Sequence, residues 1–220
     1  MVLCGEELAT ALSLQLRECR FCPRDCGVDR LGGELGYCGV GIRSRYFAEF
    51  VHFGEEQELV PAYAIFFTGC NLRCGFCINY DVVVAPQRGV EAEPDYFRRR
   101  ITEHARHGVK WVSFIGGEPT CHLHTIAEIL TGFDSPLPVV WNSNFYFSPA
   151  VRPSIVALTD LFLADLKFGN DACAEQLAGA KRYLEVVGGN LLAVSQQREL
   201  IVRHLLLPGH QECCTVPVLD

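Results

Sequence analysis

No apolar run in this 220-residue chain approaches the ~20 residues a bilayer-spanning helix needs, so no membrane partner is expected. Basic charge is also in short supply, with a net charge of −7, which gives no reason to expect a nucleic-acid partner. The one basic run, Arg98-Arg99-Arg100, lies beside Asp95 and Glu103 in a helical pattern. Ion pairs along a solvated helix face account for it. A basic lead is missing from the N-terminus, which carries Glu6 and Glu7 instead. That stretch reads as an amphipathic helix with Leu8, Leu12 and Leu16 on one face, not as a secretory signal, and a cytoplasmic location is the expectation. Internal repeats and low-complexity segments are absent too. With 49% hydrophobic and 20% charged residues, the chain has the balance of a folded domain with one sizeable core.

Cysteine, by contrast, is abundant. Of twelve, seven fall in two tight groups: Cys19, Cys22, Cys26 and Cys38, then Cys70, Cys74 and Cys77. In a reducing compartment such crowding suits metal chelation better than disulfides. Cys4, Cys173, Cys213 and Cys214 have no ligand-like partner nearby in sequence and read as buried or incidental thiols. His122 and His124, flanking Leu123 at a helix start, read as structural.

Residues 1–18 read as a helix, 19–45 as a loop-rich segment and 46–60 as a strand or hairpin. A first region, 1–60, thus pairs a helix with a cysteine-rich metal-binding segment, and 61–220 forms the main domain. There, apolar runs at 64–68, 111–115, 139–141, 161–166 and 200–207 alternate with helical stretches at 95–107, 123–130, 149–158 and 172–187. This rhythm predicts an α/β fold with a parallel sheet, compatible with a full or partial barrel. Chemistry in such a fold sits at the C-terminal ends of the strands.

Polar motifs occur where that architecture would place them. Cys70–Cys77 follows the first strand in a C-x3-C-x2-C loop, and three thiolates can hold three corners of a cubane cluster while one iron stays open. Gly116-Gly117-Glu118-Pro119 follows the second strand, where two glycines admit a ligand close to the backbone and a carboxylate can face an ammonium group. Asn142 and Asn144 end the third strand, either as cofactor contacts or as capping and turn residues. Asp165 and Lys167 end the fourth on one face, and the alternative there is an exposed ion pair. Arg203 lies near the fifth.

The cysteine loop, with Phe76 before the third cysteine, and the Gly-Gly-Glu-Pro loop resemble the signatures of the radical S-adenosylmethionine superfamily. Asp165-Leu166-Lys167 and the Arg203-to-Gly209 run resemble glycyl-radical-enzyme activating proteins. The combined pattern over residues 19–215, including Cys22-Pro23-Arg24 and Tyr37-Cys38, is similar to the subgroup called pyruvate formate-lyase activating enzyme-like. The resemblance implies a partial (β/α) barrel of radical SAM type. It implies a [4Fe–4S] cluster on Cys70, Cys74 and Cys77 that reductively cleaves S-adenosylmethionine to a deoxyadenosyl radical, which abstracts hydrogen. Gly116, Gly117 and Glu118 would meet the methionine amino group, and Lys167 its carboxylate. Asn142, Asn144, Asp165 and Arg203 would complete the cofactor side. Implied partners are an electron donor and a protein substrate of the glycyl-radical type.

Two questions stay open in the sequence. The four N-terminal cysteines suit either zinc or a second cluster. Five barrel strands can be counted where the superfamily normally has six, so the barrel is expected to be truncated after the fifth. The alternative function is then a non-catalytic iron–sulfur or electron-transfer module.

Overall fold

The computed structural model describes residues 5–219. Cys4 lies outside them. The chain opens with α1 (Glu6–Leu14), whose Leu8 and Leu12 turn inward and are joined by Leu16 from the next short turn. Residues 19–44 follow a turn-rich path in which Cys19 bridges Val28. The sheet then begins with β1 (Arg45–His52) and β2 (Ala62–Phe67), followed by α2 (Tyr80–Val84) and the short β3 (Val90–Glu91). Next come α3 (Pro94–Arg106), β4 (Trp111–Gly116), α4 (Leu123–Leu130), β5 (Val139–Ser143), α5 (Arg152–Ala157) and β6 (Leu161–Asp165). The chain finishes with α6 (Asp171–Ala178), α7 (Tyr183–Ser195), β7 (Glu199–Arg203) and α8 (Val216–Leu219).

All seven strands form one sheet in the order β3-β1-β2-β4-β5-β6-β7. The five strands from β2 to β7 run parallel, and β1 and β3 add an antiparallel edge. Parallel strands covered by helices must be apolar on both faces, and β5 is buried along its whole length. The helices are built to cover it. Pro94 and Asp95 suit the first turn of α3, and Phe97 and Ile101 bury its inner stripe. Each of those two side chains contributes about 1.5–3 kcal/mol through burial. Arg98 pairs with Asp95 and Arg100 with Glu103 along the outer face, as the sequence pattern predicts. Outward of β7, no strand pairs with the sheet among the described residues. No described helix is long and apolar enough to cross a membrane.

One helical expectation needs correction. Residues 172–187 form the end of one helix and the start of another, because the backbone turns left-handed at Gly179 and again at Arg182. Gly179 takes this conformation without the Cβ penalty. The break leaves carbonyl groups at the end of α6 free to accept from elsewhere. They bind the cysteine loop: Arg73 N donates to Ala178 O at 3.0 Å and Gly75 N to Leu177 O at 2.9 Å.

Candidate active site

Parallel register brings the carboxyl ends of the five strands to one rim, with Phe67 beside Gly116 and Asp165 beside Arg203. The cysteine loop leaves β2 through Gly69, whose φ is +64°. A Cβ there would sit 2.8 Å from Cys38 O. At Gly117 the constraint is absolute, since a Cβ would lie 1.7 Å from Gly69 O. The two loops therefore touch backbone to backbone, and only glycine permits it.

Cys70 and Cys74 are buried, and Cys77 is half-buried. Burial pushes the Cys74 thiol up to about 11 and that of Cys70 well above its usual value. Leu72 N and Asn144 Nδ2 point at the Cys70 sulfur, at 3.3 and 3.6 Å. Asn144 Nδ2 also donates to Asn71 Oδ1 at 2.8 Å, while Asn71 Nδ2 donates to Tyr146 O at 2.6 Å.

The buried Glu118 carboxylate accepts from Thr120 N at 3.0 Å, Ser143 Oγ at 2.8 Å and Asn144 N at 3.0 Å. Desolvation raises its pKa, although these donors favour the charged form. Three donors leave about one of its four lone-pair directions for a further cation.

At the next strand ends a charged network takes shape. Arg203 donates from Nε to Asp165 Oδ1 at 3.2 Å, from Nη1 to Glu55 Oε2 at 2.8 Å and from Nη2 to Asn142 Oδ1 at 2.7 Å. Asn142 Nδ2 donates to the other Glu55 oxygen at 3.1 Å. Lys167 Nζ donates to Asp165 Oδ2 at 2.6 Å. Burial opposes the lysine charge, but the Asp165 carboxylate outweighs it and the Lys167 pKa is raised. Glu55, whose side chain is only 5% exposed, is the member that sequence reasoning missed. It sits in an irregular segment with no motif around it.

The cysteine loop and the strand ends line one cavity of about 300 Å³, within the range of small-molecule sites. Every residue expected at the cysteine loop and on the cofactor side contributes to its wall: Cys70, Cys74, Cys77, Gly116, Gly117, Glu118, Asn142, Asn144, Asp165, Lys167 and Arg203. The donor set fits an iron–sulfur cluster. Three thiols line the cavity, polar N–H groups aim at one sulfur, and two cations, Lys167 and Arg203, line the same space.

The N-terminal cysteines are outside the cavity lining, on a segment packed against the cysteine loop, where Arg73 Nη2 donates to Tyr37 O at 2.6 Å. Burial raises the Cys22 thiol to about 12. The neighbouring Cys121 thiol lowers the Cys38 pKa. Cys121 therefore joins this region through the fold alone. Arg24 fastens the segment to the loop, donating from Nε to Asn71 O at 2.7 Å and from Nη1 to Gly179 O at 2.5 Å. His122 and His124 hold backbone carbonyls, Thr68 O at 2.7 Å and Ile42 O at 2.8 Å, as structural residues do.

A second correction concerns Cys173, Cys213 and Cys214. Sequence separation made them look incidental, yet the fold gathers them with His210 so that all four ligand atoms lie within 4.8 Å of one another.

Comparison with known proteins agrees with this geometry. The sequence pattern of the Radical SAM superfamily matches residues 64–205. The chain is also 39% identical over 210 residues to a protein of Methanocaldococcus jannaschii named "Uncharacterized protein MJ0674". That match covers 93% of this chain and 61% of the relative, so the chain spans about three fifths of the relative's length.

Proposed function

Because this chain belongs to the radical S-adenosylmethionine superfamily, we propose that its strand-end cavity binds a [4Fe–4S] cluster and S-adenosylmethionine and initiates hydrogen abstraction. When bound, that pair supplies one-electron reductive cleavage of a sulfonium carbon–sulfur bond. Cys70, Cys74 and Cys77 hold the cluster and leave one corner to the cofactor. The backbone of Gly116 and Gly117, with the unused Glu118 lone pair, receives the ammonium group. Lys167 and Arg203 face the carboxylate. Lys167 has two N–H donors beyond its bond to Asp165, and Arg203 has two beyond its three bonds. Asn142 and Asn144 act through other residues, one orienting Arg203 and the other donating toward the Cys70 sulfur.

The observation that carries this reading is the convergence of all these groups on one cavity. The rim supports a macromolecular hydrogen donor. Ile78 on the cysteine loop and Leu205 after β7 both line the cavity and are 97% and 40% exposed, an apolar mouth suited to a polypeptide. Together with the likeness to activating proteins, this favours a glycyl-radical-type protein substrate and an external electron donor. The N-terminal cysteines suit a second cluster better than a single zinc ion. Their sulfurs do not form a set of three or more within 4.8 Å, and a cube with one thiolate per iron holds its ligands farther apart than one ion does.

Anaerobic reconstitution, iron and sulfide counts and deoxyadenosine measurement in one sample test the proposal. The reduced, loaded protein is expected to release deoxyadenosine from S-adenosylmethionine, and Cys74→Ala to abolish it. No deoxyadenosine from a fully loaded sample would reject the reading.

A further inference from the structure

Cys173 stands in the first turn of α6, and His210, Cys213 and Cys214 lie on the turn that follows β7. Cys173 Sγ is 3.5 Å from Cys213 Sγ and 3.6 Å from His210 Nδ1, and Cys213 Sγ is 3.4 Å from the same nitrogen. A tetrahedral zinc ion with bonds of about 2.3 Å to sulfur and 2.0 Å to nitrogen separates its ligands by about 3.5–3.8 Å. The observed spacings match that scale. They are too close for the corners of an iron–sulfur cube, so one ion is indicated.

We propose that Cys173, His210, Cys213 and Cys214 form a closed Cys3His zinc site separate from the cavity. Four protein ligands leave no open position, so its role is structural.

The surroundings are organised for it. Asn170 Oδ1 accepts from Cys173 N at 2.7 Å and caps α6. Its Nδ2 points at the Cys173 sulfur at 3.3 Å and the Cys214 sulfur at 3.8 Å, the outer support that thiolate ligands commonly receive. The tail is pressed against this corner, since a Cβ at Gly169 would lie 2.2 Å from Cys214 O.

Apolar burial holds residues 205–219 only through Leu207 and Cys214. Leu205, Leu206, Val216 and Leu219 are all exposed, while Cys214 and Thr215 are buried. An ion joining α6 to residues 210–214 supplies the missing attachment. It also steadies the cavity wall. His204 Nδ1 donates to Leu166 O at 2.7 Å, and its Nε2 lies 3.0 Å from Thr215 Oγ1, so the clipped turn braces the strand end that carries Asp165 and Lys167.

Elemental analysis of the anaerobically purified full chain, grown with zinc, tests the site. Wild type is expected to hold about one zinc at this site, and Cys213→Ser and His210→Ala each to lose that equivalent with iron content unchanged. Cys213 is exposed, so its replacement leaves the core intact. Zinc-edge X-ray absorption of wild type gives a second readout independent of any variant. It should show three sulfurs at about 2.3 Å and one nitrogen at about 2.0 Å. Wild type without zinc, zinc content unchanged in both variants, or a Cys173–Cys213 disulfide in oxygen-free protein would each overturn the proposal.

Discussion

Arg203 and Glu55 are 148 residues apart, yet Arg203 Nη1 donates to Glu55 Oε2 at 2.8 Å. The carboxylate also takes Asn142, so it fixes two residues that line the cavity. Glu55→Ala should leave Arg203 free to swing and Asn142 half-satisfied. A charge-assisted hydrogen bond is worth about 1.5–3 kcal/mol, so the dissociation constant for S-adenosylmethionine should rise about tenfold or more. Equilibrium binding to cluster-loaded protein measures it, and unchanged affinity would remove Glu55 from the site.

The contact between Gly117 and Gly69 makes a sharp stability test. Gly117→Ala would drive a methyl group into Gly69 O and should cost about 3 kcal/mol or prevent folding. Gly189, exposed in α7 with nothing near its missing Cβ, is the opposite case. Gly189→Ala should stabilise by about 0.5–1 kcal/mol and raise the melting temperature by about 1–4 °C. Thermal unfolding of the two variants should therefore shift in opposite directions.

Asn144 points its Nδ2 at the Cys70 sulfur from 3.6 Å. Withdrawing a donor from a cluster thiolate makes reduction harder. Asn144→Ala should bind the full iron complement while its midpoint potential falls by roughly tens of millivolts. Potentiometric titration followed by electron paramagnetic resonance reads both quantities. An unaltered potential would show that the amide serves only Asn71.

Acid should weaken the fold through His122, whose burial lowers its pKa from 6.5 to about 3. Between those values the unfolded chain binds a proton that the native chain refuses, so stability is full above 6.5 and declines as pH falls. The loss reaches at most about 1.4 kcal/mol per pH unit for this group. His124, also buried with a lowered pKa, adds in the same direction. Denaturant unfolding of His122→Gln, followed from about pH 7 to about 5, should show a shallower acid slope than wild type. Identical slopes would contradict the assignment.

The parts legible in the sequence were those with a local signature. Cys70, Cys74 and Cys77 announce themselves by spacing, and β4, β5 and β6 by short apolar runs ending in polar residues. What depended on distant chain segments was hidden. The division between α6 and α7 rests on the left-handed Gly179 and Arg182, which helical periodicity passes over. Glu55 gains its meaning only from Arg203, and Cys173 only from a turn about 40 residues later. Cys121 meets Cys38 because Pro119–His122 packs behind the cysteine loop, a relation no spacing rule contains.

Arg24 lies over the Tyr37 ring at 3.8 Å while holding Asn71 O and Gly179 O. One guanidinium thus rivets the stretches that carry Cys38 and Cys70 to the end of α6. Were the proposed N-terminal metal removed, this rivet would slacken, and the neighbouring loop would weaken its hold on the proposed cluster without any change to its own cysteines.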